Sequence, residues 1–316
     1  MKSLPLFYYP STWLYIDDDK TLLACVKLVL EERNSIETFL SGKEALYFLN
    51  HYQSPLEQKS FLKSIKNDEN YGILQHTPID FDITAIAEIS TDPNRHREVT
   101  AMLIDYQMPD MNGFEFAKAC PDLFIPKILL TGFADQEKAI EGFNHNYIQR
   151  FIRKGDQHME DQLVFHLSEL TQRYFQKISA PLLAYLETEH KLALTDPVFI
   201  DFFTAYCKTK SITEYYLIDK QGSFLCINKK GEKSYFIVHT DRSLEAWIAD
   251  NNFEKSLSEN ILVDITSRSK IPFFGLGKEA WNFNHADWPH HFYKAAILAG
   301  KENYYWAEVI PTSRKD

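Results

Sequence analysis

The amino-acid sequence predicts a two-part molecule. An α/β half built on a doubly wound parallel sheet comes first, followed by a linker helix and an α+β half with an antiparallel sheet. Three observations carry that prediction. Four short apolar runs each deliver a polar group: Trp13–Ile16 into Asp17-Asp18-Asp19, Ala101–Ile104 into Asp105, Lys127–Leu130 into Thr131-Gly132, and Phe151-Ile152 into Arg153-Lys154. Apolar runs without alternation read as strands buried on both faces, as in a parallel sheet. With helical stretches between them, a right-handed β-α-β winding gathers all four polar ends at one edge of the sheet. The second observation is a stripe at intervals of three or four residues, Leu163, Leu167, Leu170, Tyr174, Ile178 and Leu182, which marks a long amphipathic helix. The third is a set of short strands after residue 195, joined by glycine-bearing turns.

Taken in order, residues 12–16 form the first strand, Thr21–Glu32 a helix and Ser35–Phe39 a second strand. Ser41 opens the next helix as its N-cap, with Glu44 three residues on to complete a capping box. Residues 52–99 interrupt the alternation. A structureless connection of that length does not suit a compact domain, so an ordered insertion is expected. Within it, Leu56–Ile65 fits a helix, and Ile79, Phe81, Ile83, Ala85, Ala87 and Ile89 alternate as a half-buried strand. After Asp105, Met108-Pro109 and Asn112-Gly113 make a turn, because proline fixes φ and glycine tolerates positive φ. A helix from Phe114, a strand at 127–130, a helix over Asp135–Phe143 and a strand at 147–152 follow. The long helix starts after Asp156, with Pro181 as a kink or restart. Its stripe is either a dimer seam or packing against its own domain. The boundaries are thus 10–156 for the α/β domain, 157–194 for the linker helix and 195–316 for the α+β domain.

In that last part Asp196-Pro197 starts a helix through Tyr206, and Glu214–Ile218, Ser223–Ile227 and Ser234–Val238 form a meander. A helix carries Leu244, Trp247 and Ile248, and Ala295–Leu298 with Tyr304–Ile310 make a hairpin around Ala299–Asn303. The order of elements is loosely similar to a PAS or GAF sensor fold, an analogy that does not give function.

The chain has 316 residues, 45% apolar and 25% charged, with a net charge of −10. An acidic chain has no global attraction for nucleic acid or anionic membranes. Its four cysteines, Cys25, Cys120, Cys207 and Cys226, are scattered, which argues against a zinc ribbon or a disulfide scaffold and suits a reducing cytoplasm. The apolar N-terminus is short and broken by Pro5 and Pro10, so it does not read as a signal peptide, and no stretch has the length to span a bilayer. A soluble cytoplasmic protein is expected.

The ordered pattern strand–Asp17-Asp18, strand–Asp105-x-x-Met108-Pro109-x-Met111-x-Gly113, strand–Thr131-Gly132 and strand–Lys154 resembles the receiver domain of two-component response regulators, the CheY-like family. The resemblance covers roughly the first half of the chain, about one ordinary domain. It implies a flavodoxin-like fold and the following roles. Asp17 or Asp18, Asp105 and the backbone carbonyl of Gln107 would hold Mg²⁺, which takes octahedral oxygen ligands. Asp105 would accept a phosphoryl group from a sensor histidine kinase or a phosphotransfer protein. Lys154 would neutralise charge on that group, and the Thr131 hydroxyl would bind it. Thr131 and Phe151 would be the switch residues. In one respect the chain departs from the family. Receivers usually have proline after the lysine, whereas here the pair is Lys154-Gly155.

The second half carries one further constellation, His285-Ala-Asp287-Trp-Pro-His290-His291, whose residue types can ligate a metal but whose proline and tryptophan favour an irregular loop. No cyclase, phosphohydrolase, kinase or helix-turn-helix signature is recognised. The expected output is binding of a protein or small molecule, with homodimer formation. The alternatives are an enzyme of unrecognised type, or a nucleic-acid regulator with a cryptic basic face.

Overall fold

The structure, a computed structural model, describes residues 3–31, 34–57, 59–64, 79–121, 123–132, 145, 147–186, 192–251, 258–278, 283 and 286–311. It forms two compact units. One comprises Tyr9–Lys59 and Asp92–Ile178; the other comprises Met1–Tyr8, Ser60–Thr91 and Ser179–Asp316.

Strand β1 (Phe7–Tyr8) belongs to the second unit, although the chain then enters the first. There β2 (Thr12–Ile16), α1 (Lys20–Leu30), β3 (Ser35–Phe39) and α2 (Gly42–His51) follow the expected order. Asp19 caps α1 by accepting from the backbone N–H groups of Thr21 and Leu22, and Ser41 caps α2 through those of Lys43 and Glu44.

The expected insertion is divided. Residues 60–91 leave the parallel-sheet unit and join the other one. The helix expected over Leu56–Ile65 is instead a turn followed by β4 (Leu62–Ser64), which pairs antiparallel with β5 (Ile79–Phe81). The alternation expected to run to Ile89 stops at Phe81, where Asp82 accepts from the Thr84 N–H and caps α3 (Ile83–Ile89). Ile83, Ile86 and Ile89 share a helical spacing that the period-two reading overlooked, and the cap decides between the two periods. Phe61 stacks on Phe7 at 5.9 Å and α3 packs on a later strand of the same unit, so apolar contacts account for where this segment goes.

Back in the first unit, β6 (Val99–Asp105) is buried along its whole length. It is followed by α4 (Gly113–Ala119), β7 (Lys127–Thr131) and β8 (Arg150–Arg153). The sheet order is β3-β2-β6-β7-β8 with every pairing parallel, the flavodoxin-like arrangement. The helix expected over Asp135–Phe143 lies outside the described residues. Asn112 caps α4 in a reciprocal box with Glu115.

Helix α5 (Met159–Leu183) uses Leu163, Leu167 and Leu170 in the core of the first unit, with Trp13, Tyr15, Leu103, Ile128 and Leu130. That half of the stripe packs on its own domain and is not a dimer seam. Pro181 lies in the last turn, and the helix ends two residues later. The residues expected as a linker, 157–194, are shared between the two units at Ile178/Ser179.

The second unit continues with α6 (Leu192–Thr195), α7 (Pro197–Thr209), β9 (Ile212–Leu217), β10 (Phe224–Asn228) and β11 (Lys233–Thr240). Then come α8 (Asp241–Asn251), α9 (Glu259–Thr266), β12 (Lys270–Pro272), β13 (Phe292–Lys294), β14 (Ala296–Ala299) and β15 (Asn303–Val309). Its main sheet is antiparallel in the order β1-β9-β10-β11-β15-β14, and β12 pairs with β13 apart from it. The core is aromatic: Phe199, Phe203, Phe224, Phe236 and Tyr304 are fully buried, with edge-to-face pairs such as Phe199–Tyr304 at 5.2 Å. Among the described residues no helix is long and apolar enough to cross a membrane.

Candidate functional site

The carboxyl ends of four strands converge in the first unit. β2 leads to Asp17 and Asp18, β6 ends in Asp105, β7 ends in Thr131, and β8 leads to Lys154. One ligand oxygen from each of Asp17, Asp18 and Asp105 lies within 4.8 Å of the others. Asp17 is fully buried and Asp105 is 3% exposed, whereas Asp18 faces solvent. The Lys154 ammonium lies 2.8 Å from Asp105 Oδ1 and 2.9 Å from Asp17 Oδ2. The backbone joins the same strands: the Lys154 N–H donates to the Thr131 carbonyl at 2.8 Å, and Thr131 is buried at the rim.

The lysine reaches the pocket without the usual proline. Gly155 adopts φ +77°, a left-handed conformation open to glycine, and a Cβ there would meet nothing within 4 Å. Gly113 serves a different need. A Cβ on it would lie 2.7 Å from the Asp105 carbonyl oxygen and 2.6 Å from Leu129 Cδ1, so glycine lets α4 start directly against β6. Asp110 in the same loop accepts from Ser41 Oγ and the Lys43 N–H, each at 2.9 Å, tying the loop to the start of α2. Phe151 is 39% exposed, a surface position on β8 and not a core one.

Burial pushes the Asp105 carboxyl above the usual carboxylate range, and the Asp17 charge adds to this; the Lys154 ammonium and the Gln107 N–H act the other way without cancelling it. Burial also works against the Lys154 charge, but its two carboxylate partners outweigh that and raise its pKa. Three carboxylates face a single ammonium, which leaves an excess of two negative charges. All the donors are hard oxygens. Charge and donor chemistry therefore both fit Mg²⁺, which is held by carboxylates with water and phosphate oxygens.

Sequence reasoning missed Tyr15. Its hydroxyl donates to Asp17 Oδ2 at 2.9 Å, from a ring buried in the sheet core. The signal was available, since residues two apart on a strand point to the same face. Of the second constellation, His285 lies outside the described residues. His291 packs on Phe274 and Phe283 with ring centroids 4.9 and 4.3 Å away, and His290 and Asp287 are exposed. Among the described residues Asp17, Asp18 and Asp105 form the metal-capable cluster.

No protein-family model and no curated protein sequence matches the chain. Among solved structures, the Legionella pneumophila response regulator LqsR is similar over 98% of this chain and 90% of its own, with a TM-score of 0.79 and 28% identity. A CheY-like receiver domain protein from Methanospirillum hungatei matches 53% of this chain and 98% of its own, with a TM-score of 0.36 and 18% identity. The receiver domain of Francisella response regulator 1452 matches 52% and 98%, with a TM-score of 0.35 and 19% identity. The parallel-sheet unit is a receiver domain, and the chain is a response regulator that joins it to an additional antiparallel domain.

Proposed function

We propose that this response regulator accepts a phosphoryl group on Asp105 from a histidine kinase or phosphotransfer protein and so controls its second domain. The observation that carries the reading is the Lys154 ammonium, placed between Asp105 and Asp17 at the mouth of a pocket with surplus negative charge. An Asp105 carboxylate oxygen attacks the phosphorus of a phosphohistidine. An O–P bond forms as the P–N bond breaks, and the electron pair returns to the imidazole nitrogen. Lys154 turns from the carboxylates to a phosphoryl oxygen, and the Thr131 hydroxyl donates to another. A Mg²⁺ held by Asp18, Asp105, Asp17 and the Gln107 carbonyl would supply the remaining neutralisation, since phosphoryl transfer depends mainly on positioning and electrostatics.

The new group adds about −1.5 to −2 charges. Thr131 and Phe151 respond, and the surface around residues 151–170 changes its partner preference. The output is binding of a protein or small molecule by the second domain, together with self-association through a surface other than the 163–170 stripe. We place the protein in the cytoplasm, where its phosphodonors would be.

The test is light scattering and a binding titration of the full chain with Mg²⁺ and beryllofluoride, a mimic of the phosphoryl group on aspartate. Saturable, Mg²⁺-dependent uptake that is lost in Asp105→Asn is expected. Uptake that persists in Asp105→Asn would refute the assignment. A mass change lost in the same variant would show that signalling proceeds by assembly.

A further inference from the structure

Asp17 carries an unusual load for a metal-site carboxylate. Its Oδ2 accepts from both the Tyr15 hydroxyl and the Lys154 ammonium, each at 2.9 Å. Its Oδ1 accepts from the Asp19 N–H at 2.9 Å. A carboxylate offers about four lone-pair sites, so with these donors in place Asp17 keeps one, on Oδ1. We infer that Tyr15 is a positioning residue for the metal centre: its hydroxyl fixes the Asp17 carboxylate so that Oδ2 is turned to Lys154 and Oδ1 to the cation. The inference rests on the Mg²⁺-assisted reading above and adds a residue to it.

The geometry singles out Tyr15 for this. Its ring sits on β2 between Thr38 of β3 and Leu103 of β6, in register with both, and is 1% exposed. Asp17 follows β2 directly, its N–H still bonded to the Phe39 carbonyl, so Tyr15 two residues earlier points to the same face and the ring holds the hydroxyl beside the carboxylate. A phenol ionises near pH 10, so at neutral pH it remains a donor. Without it the Asp17 carboxylate would be held only by the Asp19 N–H on Oδ1 and the mobile Lys154 ammonium on Oδ2. Metal binding would then include the cost of ordering that carboxylate.

Tyr15→Phe removes the hydroxyl and keeps the ring. Full-length wild type and Tyr15→Phe are titrated with Mg²⁺ by calorimetry, with no phosphodonor present. Both are melted metal-free, and both are phosphorylated with acetyl phosphate over a range of Mg²⁺ concentrations. The variant is expected to bind Mg²⁺ about fivefold more weakly, the scale of one modest hydrogen bond. Its plateau rate of phosphorylation at saturating Mg²⁺ should be unaltered, and its metal-free melting temperature should fall by no more than the few degrees that one hydrogen bond contributes. An unchanged or stronger Mg²⁺ affinity would overturn the role of Tyr15. So would a plateau rate that falls together with the melting temperature, because the residue would then be acting as core alone. A wild type that takes up neither Mg²⁺ nor phosphoryl would remove the underlying reading, and this inference with it.

Discussion

Strand β6 has a buried carboxylate at each end, and the two ends are used differently. Glu98, just before the strand, is fully buried, and Asp105 closes it. Burial pushes both pKa values up. Their partners differ. Among the described residues Glu98 accepts from neutral groups: Ser54 Oγ at 2.9 and 2.7 Å, the Leu56 N–H at 3.3 Å and the Tyr174 hydroxyl. Asp105 faces two further aspartates and one lysine. One end satisfies its carboxylate and thereby ties the 54–56 turn to α5. The other end leaves charge uncompensated and therefore calls for a cation. A buried carboxylate with satisfied hydrogen bonds belongs to the architecture, and one with surplus like charge belongs to the chemistry.

The comparison breaks if Asp105→Asn keeps any phosphoryl uptake, and complete loss is the largest effect expected. At the opposite end, Glu98→Ala should destabilise the receiver domain by roughly 3 kcal/mol, because the buried Ser54 and Tyr174 hydroxyls lose their acceptor while the Leu56 N–H keeps Ser54 Oγ. Chemical denaturation of wild type and variant measures it, and a change under about 1 kcal/mol would mean that Glu98 is no anchor. Gly113→Ala should cost about 1–3 kcal/mol by overpacking against the Asp105 carbonyl, and it should slow phosphoryl uptake as well, since that carbonyl belongs to the proposed acceptor residue.

The smallest effect is in pH dependence. An acid whose folded pKa is raised contributes stability that is fully present below its unfolded value, near 3.9 for aspartate, and that is lost as pH rises through the folded value. Metal-free wild type should therefore lose melting temperature relative to Asp105→Asn as pH rises from about 4 through the raised Asp105 pKa. Saturating Mg²⁺ should narrow the gap, because the cation favours the ionised Asp105 carboxylate that only the wild type has. Parallel curves for the two proteins would show that the pocket holds no surplus charge.

Some of this was legible in the sequence and some was not. Apolar runs ending in Asp17, Asp105, Thr131 and Lys154 placed four strand ends together, because a parallel sheet fixes where its carboxyl ends lie. The insertion was visible only as an interruption. Whether Ile79–Ile89 forms a strand or a helix depended on the Asp82 cap, and a run that satisfies both periods cannot decide between them. The partner of Phe7–Tyr8, a strand some two hundred residues later, left no local trace, because pairing between distant strands depends on the shape of the whole sheet. The sequence by itself determined the receiver fold and which polar groups meet at one edge of its sheet, since each rests on residue type at a fixed place relative to a strand end. Only the tertiary structure decided that residues 60–91 and strand β1 complete the second domain, that the 163–170 stripe belongs to the receiver core, and that Tyr15 touches Asp17, because these outcomes depend on which surfaces meet after folding.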